Sequence, residues 1–417
     1  ALLATWNTSA ITQPGFVFIK IIVNTAFGTF TEQTTIYADP TLKQGWPKKI
    51  EGDRINYPTG GLNYYMRAGP FDTLVKDLNN DGNKEIIFAS KGTNIRLHVL
   101  DVNGNYRNGW PIELPNSRPD VWGSLGPVIG NIDADAESEI IIGNFIENKL
   151  YAFNYDGSMA SGFPVILPYK NINGYDYGVN SGSLNLADIN NDGKNEIIVF
   201  AEEPGYLAVL NNQGVLFPGN PHFFNMNIGS NIKNGVSLGN FDADSDLEIV
   251  VSYSNYNLET KTGSAYIDVL NKDGSHVSGW PVVKQDYIFN SPAIGDVDGD
   301  GNTEIVVGYR DGSGVYVFDK TGQVKSGWPR LTGYYFTSSP ALLDINNDGR
   351  LEIVISEYSW GSGNTYVLNY DGTTHSGWPQ YKQMSDYWYA VDFRSPFTTQ
   401  DGSSKELIFE TAGEKLY

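Results

Sequence analysis

The chain has 417 residues, with 28 Lys and Arg against 48 Asp and Glu, so its formal net charge is −20. This acidic balance argues against nucleic acid or an anionic membrane surface as the partner, and it suits a protein that holds cations. Cysteine is absent, which excludes disulfides and thiolate metal sites.

Residues 1–39 do not share the repeat that follows them. Their longest apolar run, "FVFIKIIV" at 16–23, is far shorter than the roughly 20 residues of a membrane-spanning helix, so no membrane insertion is predicted. The segment resembles the last strands of an immunoglobulin-like β-sandwich module. We therefore expect 1–39 to be a β-strand extension, which either continues a longer protein or mediates self-association.

Residues 40–417 carry an internal repeat of about 50 residues. An acidic pattern begins at Asp77, Asn131, Asp188, Asn240, Asp296, Asp344 and, in degenerate form, Asp392. A second marker, "GWP" or a variant of it, keeps the same spacing, at Gly45, Gly109, Gly162, Leu216, Gly279, Gly327 and Gly377. Between the markers lie an apolar run such as "EIVVG", an alternating strand such as "GVYVFD" and a tight turn such as "NKDG".

Each repeat therefore predicts four short antiparallel strands, a unit that cannot bury both of its faces alone. We predict an all-β, seven-bladed β-propeller over 40–417, closed by pairing of the N- and C-terminal segments. Either "TTIYAD" or "EKLY" supplies the third strand of the closing blade. The tryptophans of the "GWP" markers are predicted to pack between neighbouring blades: Trp46, Trp110, Trp280, Trp328 and Trp378.

The acidic loop from Asp296 to Glu304 has the residues of a calcium site. Side chains at positions 1, 3 and 5 converge because the interspersed glycines permit a sharp turn, and the main chain at position 7 and the glutamate at position 9 complete an oxygen cage. An EF-hand would instead need a glutamate at position 12 and flanking helices, so the pattern indicates a β-loop site. The alternative is that these loops are only solvated acidic turns.

Six loops follow this pattern and predict up to six structural calcium ions. The candidate ligands are Asp77, Asn79, Asp81, Asn83, Glu85, Asn131, Asp133, Asp135, Glu137, Glu139, Asp188, Asn190, Asp192, Lys194, Glu196, Asn240, Asp242, Asp244, Asp246, Glu248, Asp296, Asp298, Asp300, Asn302, Glu304, Asp344, Asn346, Asp348, Arg350 and Glu352. The loops from Asn131 and Asn240 lack the first aspartate and are expected to bind more weakly. No calcium is expected at Asp392, because Arg394 takes a ligand position.

The pattern "DVDGDGNTE", followed by an apolar strand that ends in glycine, resembles the FG-GAP or VCBS repeats of integrin α-subunit propellers and of bacterial and archaeal surface proteins. The resemblance covers roughly 40–417. It implies that each loop joins the first and second strand of a blade and binds calcium. It also implies an extracellular platform for adhesion or recognition, but no particular ligand.

Aromatic residues lie in the connections that should reach the face opposite the acidic loops. The candidate ligand-binding residues are Tyr65, Trp122, Tyr177, Tyr287, Tyr335, Trp360 and Trp388, with Tyr253 and Tyr309 in neighbouring loops. Exposed aromatic rings beside polar groups are suited to stacking on sugars. The alternative for any one of them is that it only plugs the mouth of the channel.

No catalytic residue is predicted. His276 and His375 follow outer turns away from any shared pocket, His98 and His222 stand elsewhere, and no zinc-ligand spacing is present. We therefore expect an extracellular or cell-surface binding and adhesion module whose partner is a glycan or a protein. The alternative function is a propeller-type polysaccharide lyase or another carbohydrate-active enzyme.

Overall fold

The protein is described here by a computed structural model. It covers residues 15–25, 28–38, 397–401, 404–408 and 70–383, the last range with gaps at 92–93, 116–125, 134, 145, 180, 225–234, 258–261, 289, 311–313, 333–334, 337 and 359–361. Within these residues all regular structure is β-strand and no helix occurs. No helix that could cross a membrane is therefore found in the described part of the chain.

The first described element is a long antiparallel hairpin, β1 (Gly15–Thr25) and β2 (Gly28–Ala38). Its register pairs Gly15 with Ala38 and Thr25 with Gly28. The segment "TTIYA" thus pairs with the apolar run "FVFI" within residues 1–39. That the hairpin belongs to an immunoglobulin-like module stays a prediction.

Six antiparallel sheets follow between residues 70 and 383, and we call them units 1 to 6. Unit 1 contains β3 (Pro70–Lys76), β4 (Glu85–Lys91), β5 (Ile95–Leu100) and β6 (Ile112–Glu113). Unit 2 contains β7 (Val128–Gly130), β8 (Glu139–Asn144), β9 (Lys149–Phe153) and β10 (Val165–Ile166). A separate hairpin, β11 (Lys170–Ile172) and β12 (Tyr175–Tyr177), precedes unit 3.

The later units repeat the same order of strands. Unit 3 contains β13 (Ser181–Ala187), β14 (Glu196–Glu203), β15 (Tyr206–Leu210) and β16 (His222–Phe223). Unit 4 contains β17 (Val236–Gly239), β18 (Glu248–Asn257), β19 (Thr262–Leu270) and β20 (Val282–Lys284). Unit 5 contains β21 (Ala293–Gly295), β22 (Glu304–Tyr309) and β23 (Gly314–Phe318), and a single bridge from Val315 to Arg330 takes the place of its fourth strand.

Unit 6 begins with β24 (Tyr335–Phe336) and continues with β25 (Ala341–Leu343), β26 (Glu352–Tyr358), β27 (Ser362–Leu368) and β28 (Gln380–Gln383). Both β24 and β25 pair with β26. The last described element is the hairpin β29 (Phe397–Asp401) and β30 (Ser404–Ile408). Asp392 lies outside the described residues, and this hairpin is the described part of the seventh repeat, so the seventh blade and the closure of the ring stay predictions.

Consecutive units pack face to face through shared apolar cores. The core between units 1 and 2 joins Leu97 and Val99 of β5 to Ile140 and Ile142 of β8. Equivalent cores join units 2 and 3, 3 and 4, 4 and 5, and 5 and 6. The uninterrupted apolar runs of the second strands are explained by this packing, because each central strand is covered on both faces.

The marker tryptophans lie in these boundaries, as predicted. Trp110 is buried, its ring meets Phe153 of unit 2 edge-on at 6.1 Å between centroids, and its Nε1 donates to the Tyr155 carbonyl oxygen at 2.8 Å. Trp280 and Trp328 donate in the same way to a turn of the next unit. The described residues therefore confirm the packing role for these three tryptophans.

The marker assigned to "LFP" at Leu216 was wrong. Leu216 forms the bridge with Leu210, and the equivalent of "GWP" is Gly219, Asn220 and Pro221. Gly219 has φ +81°, and a Cβ there would collide with the carbonyl oxygen of the next turn, as at Gly109. Asn220 replaces tryptophan and keeps its hydrogen bond, because its Nδ2 donates to the Lys272 carbonyl oxygen at 2.7 Å.

Replacing Trp110 should show how much one boundary contributes to stability. We expect Trp110→Ala to lower the free energy of unfolding by about 3–5 kcal/mol, because it leaves a cavity between two units. Trp110→Phe keeps most of the volume and loses the hydrogen bond, so it should cost about 1 kcal/mol. Urea unfolding measures both, and equal losses in the two variants would contradict the packing role.

Candidate metal loops

Each acidic loop joins the first and second strand of its unit. We number them with their units: loop 1 (77–85), loop 2 (131–139), loop 3 (188–196), loop 4 (240–248), loop 5 (296–304) and loop 6 (344–352). In loop 5 the Asp296 carboxylate accepts hydrogen bonds from the backbone N–H groups of Gly299, Asp300 and Gly301 at 2.8–3.0 Å. The first aspartate therefore folds the turn, as the spacing of the glycines predicted.

The glutamate at position 9 closes every loop. It is the first residue of the second strand and is buried, and its Oε2 accepts the N–H of the residue at position 2. The six bonds are Leu78 to Glu85, Ile132 to Glu139, Ile189 to Glu196, Phe241 to Glu248, Val297 to Glu304 and Ile345 to Glu352, at 2.6–3.0 Å. One carboxylate oxygen is thus used for folding, and the surroundings of the other differ between loops.

Loops of neighbouring units are also bonded to each other. The Ser138 N–H of loop 2 donates to the Leu78 carbonyl oxygen of loop 1 at 2.8 Å, and the same kind of bond joins loops 2 and 3, 3 and 4, and 5 and 6. Whatever stabilises one loop therefore also stabilises the boundary to its neighbour.

In loop 5 a lysine of the same unit reaches the carboxylates. Lys325 Nζ lies 2.6 Å from Asp298 Oδ2, 2.8 Å from Glu304 Oε1 and 3.4 Å from Asp300 Oδ2. Burial alone would lower the pKa of Lys325, but hydrogen bonds to Asp298 and Glu304 hold it above its usual value. The ammonium group thus places a positive charge among the predicted calcium ligands.

Loop 1 has an arginine in the same role. The Arg107 guanidinium donates to Glu85 Oε1 through both Nε, at 3.0 Å, and an Nη, and it lies 3.8 Å from Asp81 Oδ2. Arg107 and Lys325 occupy one position of the repeat, because each donates its backbone N–H to the third strand of its unit. By the same backbone bond, this position holds Ala160, Phe217, Val277 and His375 in units 2, 3, 4 and 6.

Loops 2 and 4 lack such a cation, and their glutamates are only half satisfied. Among the described residues, Glu139 Oε1 and Glu248 Oε1 have no hydrogen-bond partner, although both side chains are fully buried. Burial raises the pKa of Glu139 to about 7 and also raises that of Glu248. In each loop one oxygen of the glutamate and one oxygen of each of two aspartates lie within 4.8 Å of one another.

Loops 3 and 6 use an amide instead. Asn190 Nδ2 donates to Glu196 Oε1 at 3.2 Å, and Asn346 Nδ2 donates to Glu352 Oε1 at the same distance. Burial raises the pKa of Glu196 to about 7. An amide side chain offers an oxygen as well as this N–H, so it can also serve as a metal ligand after rotation.

The side chains at position 7 make different contacts, and in loop 5 Asn302 Nδ2 donates to the carboxylate oxygen Asp300 Oδ1 at 2.9 Å. Arg350 lies over the Tyr370 ring with 4.2 Å from Cζ to the centroid, and Asp246 pairs with Lys272. In every loop the position-7 N–H donates to the aspartate at position 5, as at Asn83, Glu137 and Asn302. Lys194 follows the same rule. That the main-chain carbonyl at this position binds an ion stays a prediction.

These donors fit calcium best in loops 2 and 4. A buried, unpartnered carboxylate oxygen next to two aspartates is an incomplete oxygen cage, and hard oxygen donors favour calcium over transition metals. The sequence ranked these two loops as the weaker sites because they lack the first aspartate. Spacing did not reveal the internal cations of loops 1 and 5.

The predicted aromatic platform is found only in part. Tyr177 of β12 is exposed, and Tyr287 is half-buried against Gly263, where a Cβ would collide with its ring. Tyr253 and Tyr309 were wrongly predicted to be exposed, because both lie in boundary cores. Tyr335 lies in β24 but its side chain is not described, and the following lie outside the described residues: Tyr65, Trp122, Trp360 and Trp388.

The structure brings together two histidines that the sequence kept apart. His222 and His276 lie against each other at the boundary of units 3 and 4, beside Asp268, so the prediction that His276 stands away from any shared pocket was wrong. No spacing signal reveals this group, since His222 belongs to unit 3 and the other two members to unit 4. His98 differs, because its Nε2 meets Ser90 Oγ at 2.8 Å and its Nδ1 meets the Tyr106 hydroxyl at 2.9 Å.

Residues 296–355 match the family model of the FG-GAP-like repeat, which confirms the predicted resemblance over loops 5 and 6, the strands between them and the first part of β26. No curated protein matches the chain. Among solved structures, the V. cholerae biofilm matrix protein Bap1 is similar at 13% identity, covering 81% of this chain and 73% of that one, with a TM-score of 0.49.

Two further structures are similar at a comparable level. The C-terminal domain of Pseudomonas aeruginosa PilY1 shares 11% identity over 83% of this chain and 82% of that one, with a TM-score of 0.43. A lectin of Agrocybe aegerita that recognises non-reducing terminal N-acetylglucosamine shares 17% over 76% and 81%, with a TM-score of 0.40. Because all three TM-scores are below 0.5, the architecture of this chain rests on its own sheets.

Two glutamate substitutions should separate the two kinds of loop. In chelator, Glu248→Gln should leave the protein at least as stable as the wild type, because the neutral amide relieves repulsion with Asp242 and Asp244 and still accepts the Phe241 N–H. Glu304→Gln should cost about 1 kcal/mol, because Lys325 loses a charged partner. Urea unfolding in EDTA measures both, and a greater loss in Glu248→Gln would contradict this division.

Proposed function

We propose that the protein is a calcium-stabilised binding and adhesion module that acts outside the cell or at its surface. The observation that carries the calcium proposal is the buried, unpartnered glutamate oxygen in loops 2 and 4. A bound calcium ion supplies positive charge and oxygen coordination at such a carboxylate. Up to six loops offer the donors, and the acidic net charge of the chain is consistent with several bound cations.

The six loops divide into two groups under this proposal. In the described part of loops 2, 3, 4 and 6 no cationic side chain is bonded to the glutamate, although Lys272 pairs with Asp246 of loop 4, so calcium is proposed as the charge compensation at these glutamates. Loops 1 and 5 contain Arg107 and Lys325, which compensate the charge without a metal. Calcium must displace these side chains in order to bind there, and we expect the affinity of loops 1 and 5 to be lower.

We infer that units 1 to 6, together with a seventh unit from the repeat at Asp392, close into a seven-bladed propeller. The five shared cores and the hydrogen bonds between neighbouring loops repeat one geometric step along the chain. When each unit packs on the next in the same way, the units can close into a ring, and a closed ring leaves no exposed sheet edge.

Calcium removal should destabilise the protein. Each occupied site adds about 2.7 kcal/mol to the free energy of unfolding when free calcium is 100 times its Kd. We therefore expect EDTA to lower the Tm by many degrees and CaCl2 to restore it, as measured by differential scanning calorimetry. A Tm that does not respond to either addition would rule out structural calcium.

Lys325→Met should add a calcium site. Removing the ammonium leaves Asp298, Asp300 and Glu304 of loop 5 without a cation, so the variant should bind about one more calcium ion per chain than the wild type. Lys320→Met is the matched control, because Lys320 Nζ donates to Asn302 Oδ1 and not to these carboxylates. Equal stoichiometry of Lys325→Met and wild type in calorimetric titration would count against the internal cation.

We propose the hairpin β11–β12 as the binding surface. Tyr175 is 71% and Tyr177 38% exposed, and alternate residues of a strand lie on one face. Lys170 fixes the hairpin to unit 3 through a 2.7 Å bond from its Nζ to the Phe224 carbonyl oxygen. The hairpin lies before the first residue of β13, and loop 3 begins after its last residue. The tyrosines therefore lie at the opposite end of β13 from the acidic loop.

A glycan is the ligand that this surface fits best. Two tyrosine rings on one face present flat apolar area and hydroxyl groups, which match the C–H faces and hydroxyls of a sugar. A protein ligand is the other outcome that the test distinguishes. No contact among the described residues favours the alternative of a carbohydrate-active enzyme over this binding function.

The double substitution Tyr175→Ala and Tyr177→Ala should abolish glycan binding without unfolding the protein, because both rings are exposed. Binding to an array of surface and matrix glycans measures the effect, and urea unfolding checks stability. Tyr381→Ala is the control, since Tyr381 is 61% exposed but stands in unit 6. Array binding that survives the double substitution would place the glycan site elsewhere, and a wild type that binds no glycan would favour a protein ligand.

A further inference from the structure

The boundary between units 3 and 4 contains a group of metal-ligating side chains outside the acidic loops. His222 lies in β16 of unit 3, Asp268 lies in β19 of unit 4, and His276 follows the next turn. One ligand atom of each lies within 4.8 Å of those of the other two. The group thus joins two units and combines two imidazoles with one carboxylate.

The carboxylate of Asp268 is buried and only partly satisfied. The side chain has no exposed area, and its Oδ1 lies 2.9 Å from His276 Nδ1 and accepts the Val269 N–H at 3.0 Å. Its Oδ2 has no hydrogen-bond partner among the described residues. A buried, unpartnered carboxylate oxygen is energetically costly, so its presence points to a further ligand.

The two imidazoles are placed to share that ligand. Their ring centroids are 5.2 Å apart with the planes at 88°, so the rings are neighbours without stacking. His222 is half-buried against Phe224, with 5.0 Å between ring centroids. The side chain of His276 is 44% exposed, which leaves the group open to solvent on one side.

The repeat itself shows that this combination is unusual. In each unit the last residue of the third strand forms an isolated β-bridge, as Leu270 does with His276 in unit 4. Asp268 lies two residues before Leu270, and the same position in the other units holds His98, Tyr151, Ala208, Tyr316 and Tyr366. The position of His276 holds Tyr106, Met159, Leu216, Val324 and Thr374. The position of His222, three residues after the marker glycine, holds Ile112, Val165, Val282, Arg330 and Gln380.

Three positions therefore take metal-ligating residues at the same boundary, while the other described units have mostly aromatic or aliphatic residues there. Packing does not require this change, because the neighbouring boundaries pack with tyrosine and valine at the same places. A common ligand explains why all three positions differ together.

We propose that His222, Asp268 and His276 bind a divalent transition-metal ion, best matched by zinc, which cross-links units 3 and 4. Imidazole nitrogen with a carboxylate oxygen is a typical donor set for zinc and does not suit calcium. This site is chemically distinct from the oxygen-only acidic loops. The open side at His276 leaves room for water or a partner's side chain as a fourth ligand.

Zinc binding can be measured apart from calcium binding. Protein stripped of metals and then saturated with excess CaCl2, which fills the acidic loops, is titrated with ZnCl2 by isothermal calorimetry. We expect binding of about one zinc ion per chain. His276→Gln should weaken it at least about tenfold, because a half-exposed ligand is removed without disturbing the core.

His375→Gln is the matched control. His375 occupies an outer turn of unit 6, and its Nδ1 meets Asn369 Oδ1 at 2.9 Å, with no carboxylate cluster in the described surroundings. This variant should bind zinc as the wild type does. Zinc should also raise the Tm of the wild type and of His375→Gln but have little effect on that of His276→Gln, because two of the three protein ligands remain and hold the ion only weakly.

The visible absorption of bound Co2+ provides a second measurement of the site that does not depend on the stability of the protein. Co2+ bound by two imidazoles and a carboxylate should give visible absorption bands in the wild type, and these should be absent in His276→Gln and Asp268→Asn. Zinc affinity that is equal in wild type and His276→Gln would overturn the proposal. So would the absence of zinc binding to the wild type, which would leave Asp268 and His276 as a hydrogen-bonded pair.

Discussion

Burial of one carboxylate at the start of each central strand is the constraint on which the rest of this structure depends. The glutamate at position 9 closes its loop with one oxygen, and the loop in turn bonds to the loop of the neighbouring unit. Because the strand behind it is covered on both faces, the carboxylate cannot move out into water. The second oxygen therefore needs a compensating group, which comes from the unit itself or, as we propose, from a bound cation.

Every described unit buries this glutamate, but the partner of its second oxygen differs from unit to unit. One position of the repeat, whose backbone N–H donates to the third strand, is Arg107 or Lys325 in two units and apolar in three others. The residue at this position decides whether a positive side chain reaches the glutamate of the loop. Loops 3 and 6 use an asparagine amide, and loops 2 and 4 leave the oxygen unpaired. Near-identical backbones thus support sites with different needs for a metal.

Much of the fold followed from periodicity. Acidic turns, apolar runs and alternating strands at one spacing predicted four-stranded units, and the marker tryptophans were correctly placed between units, because one residue repeated at one position must serve a repeated contact. The degenerate marker was misassigned to Leu216 because "LFP" resembles "GFP" in sequence. The backbone conformation of Gly219 and the hydrogen bond of Asn220 show that residues 219–221 are the equivalent of "GWP". Tyr253 and Tyr309 were wrongly predicted to be exposed, because the sequence does not show whether an aromatic side chain at the end of a strand faces solvent or the core between two units.

The sequence by itself determined the strands, the turns and the ligand types of each loop, because these depend on residues close together along the chain. Only the tertiary structure decided which carboxylates already have a cation, since Lys325 and Glu304 meet across the sheet. It also decided that His222, Asp268 and His276 form one group, because packing of unit 3 on unit 4 brings together side chains whose spacing carries no signal. Charge compensation and metal coordination act over a few ångströms in space, and those distances are set by how the units pack.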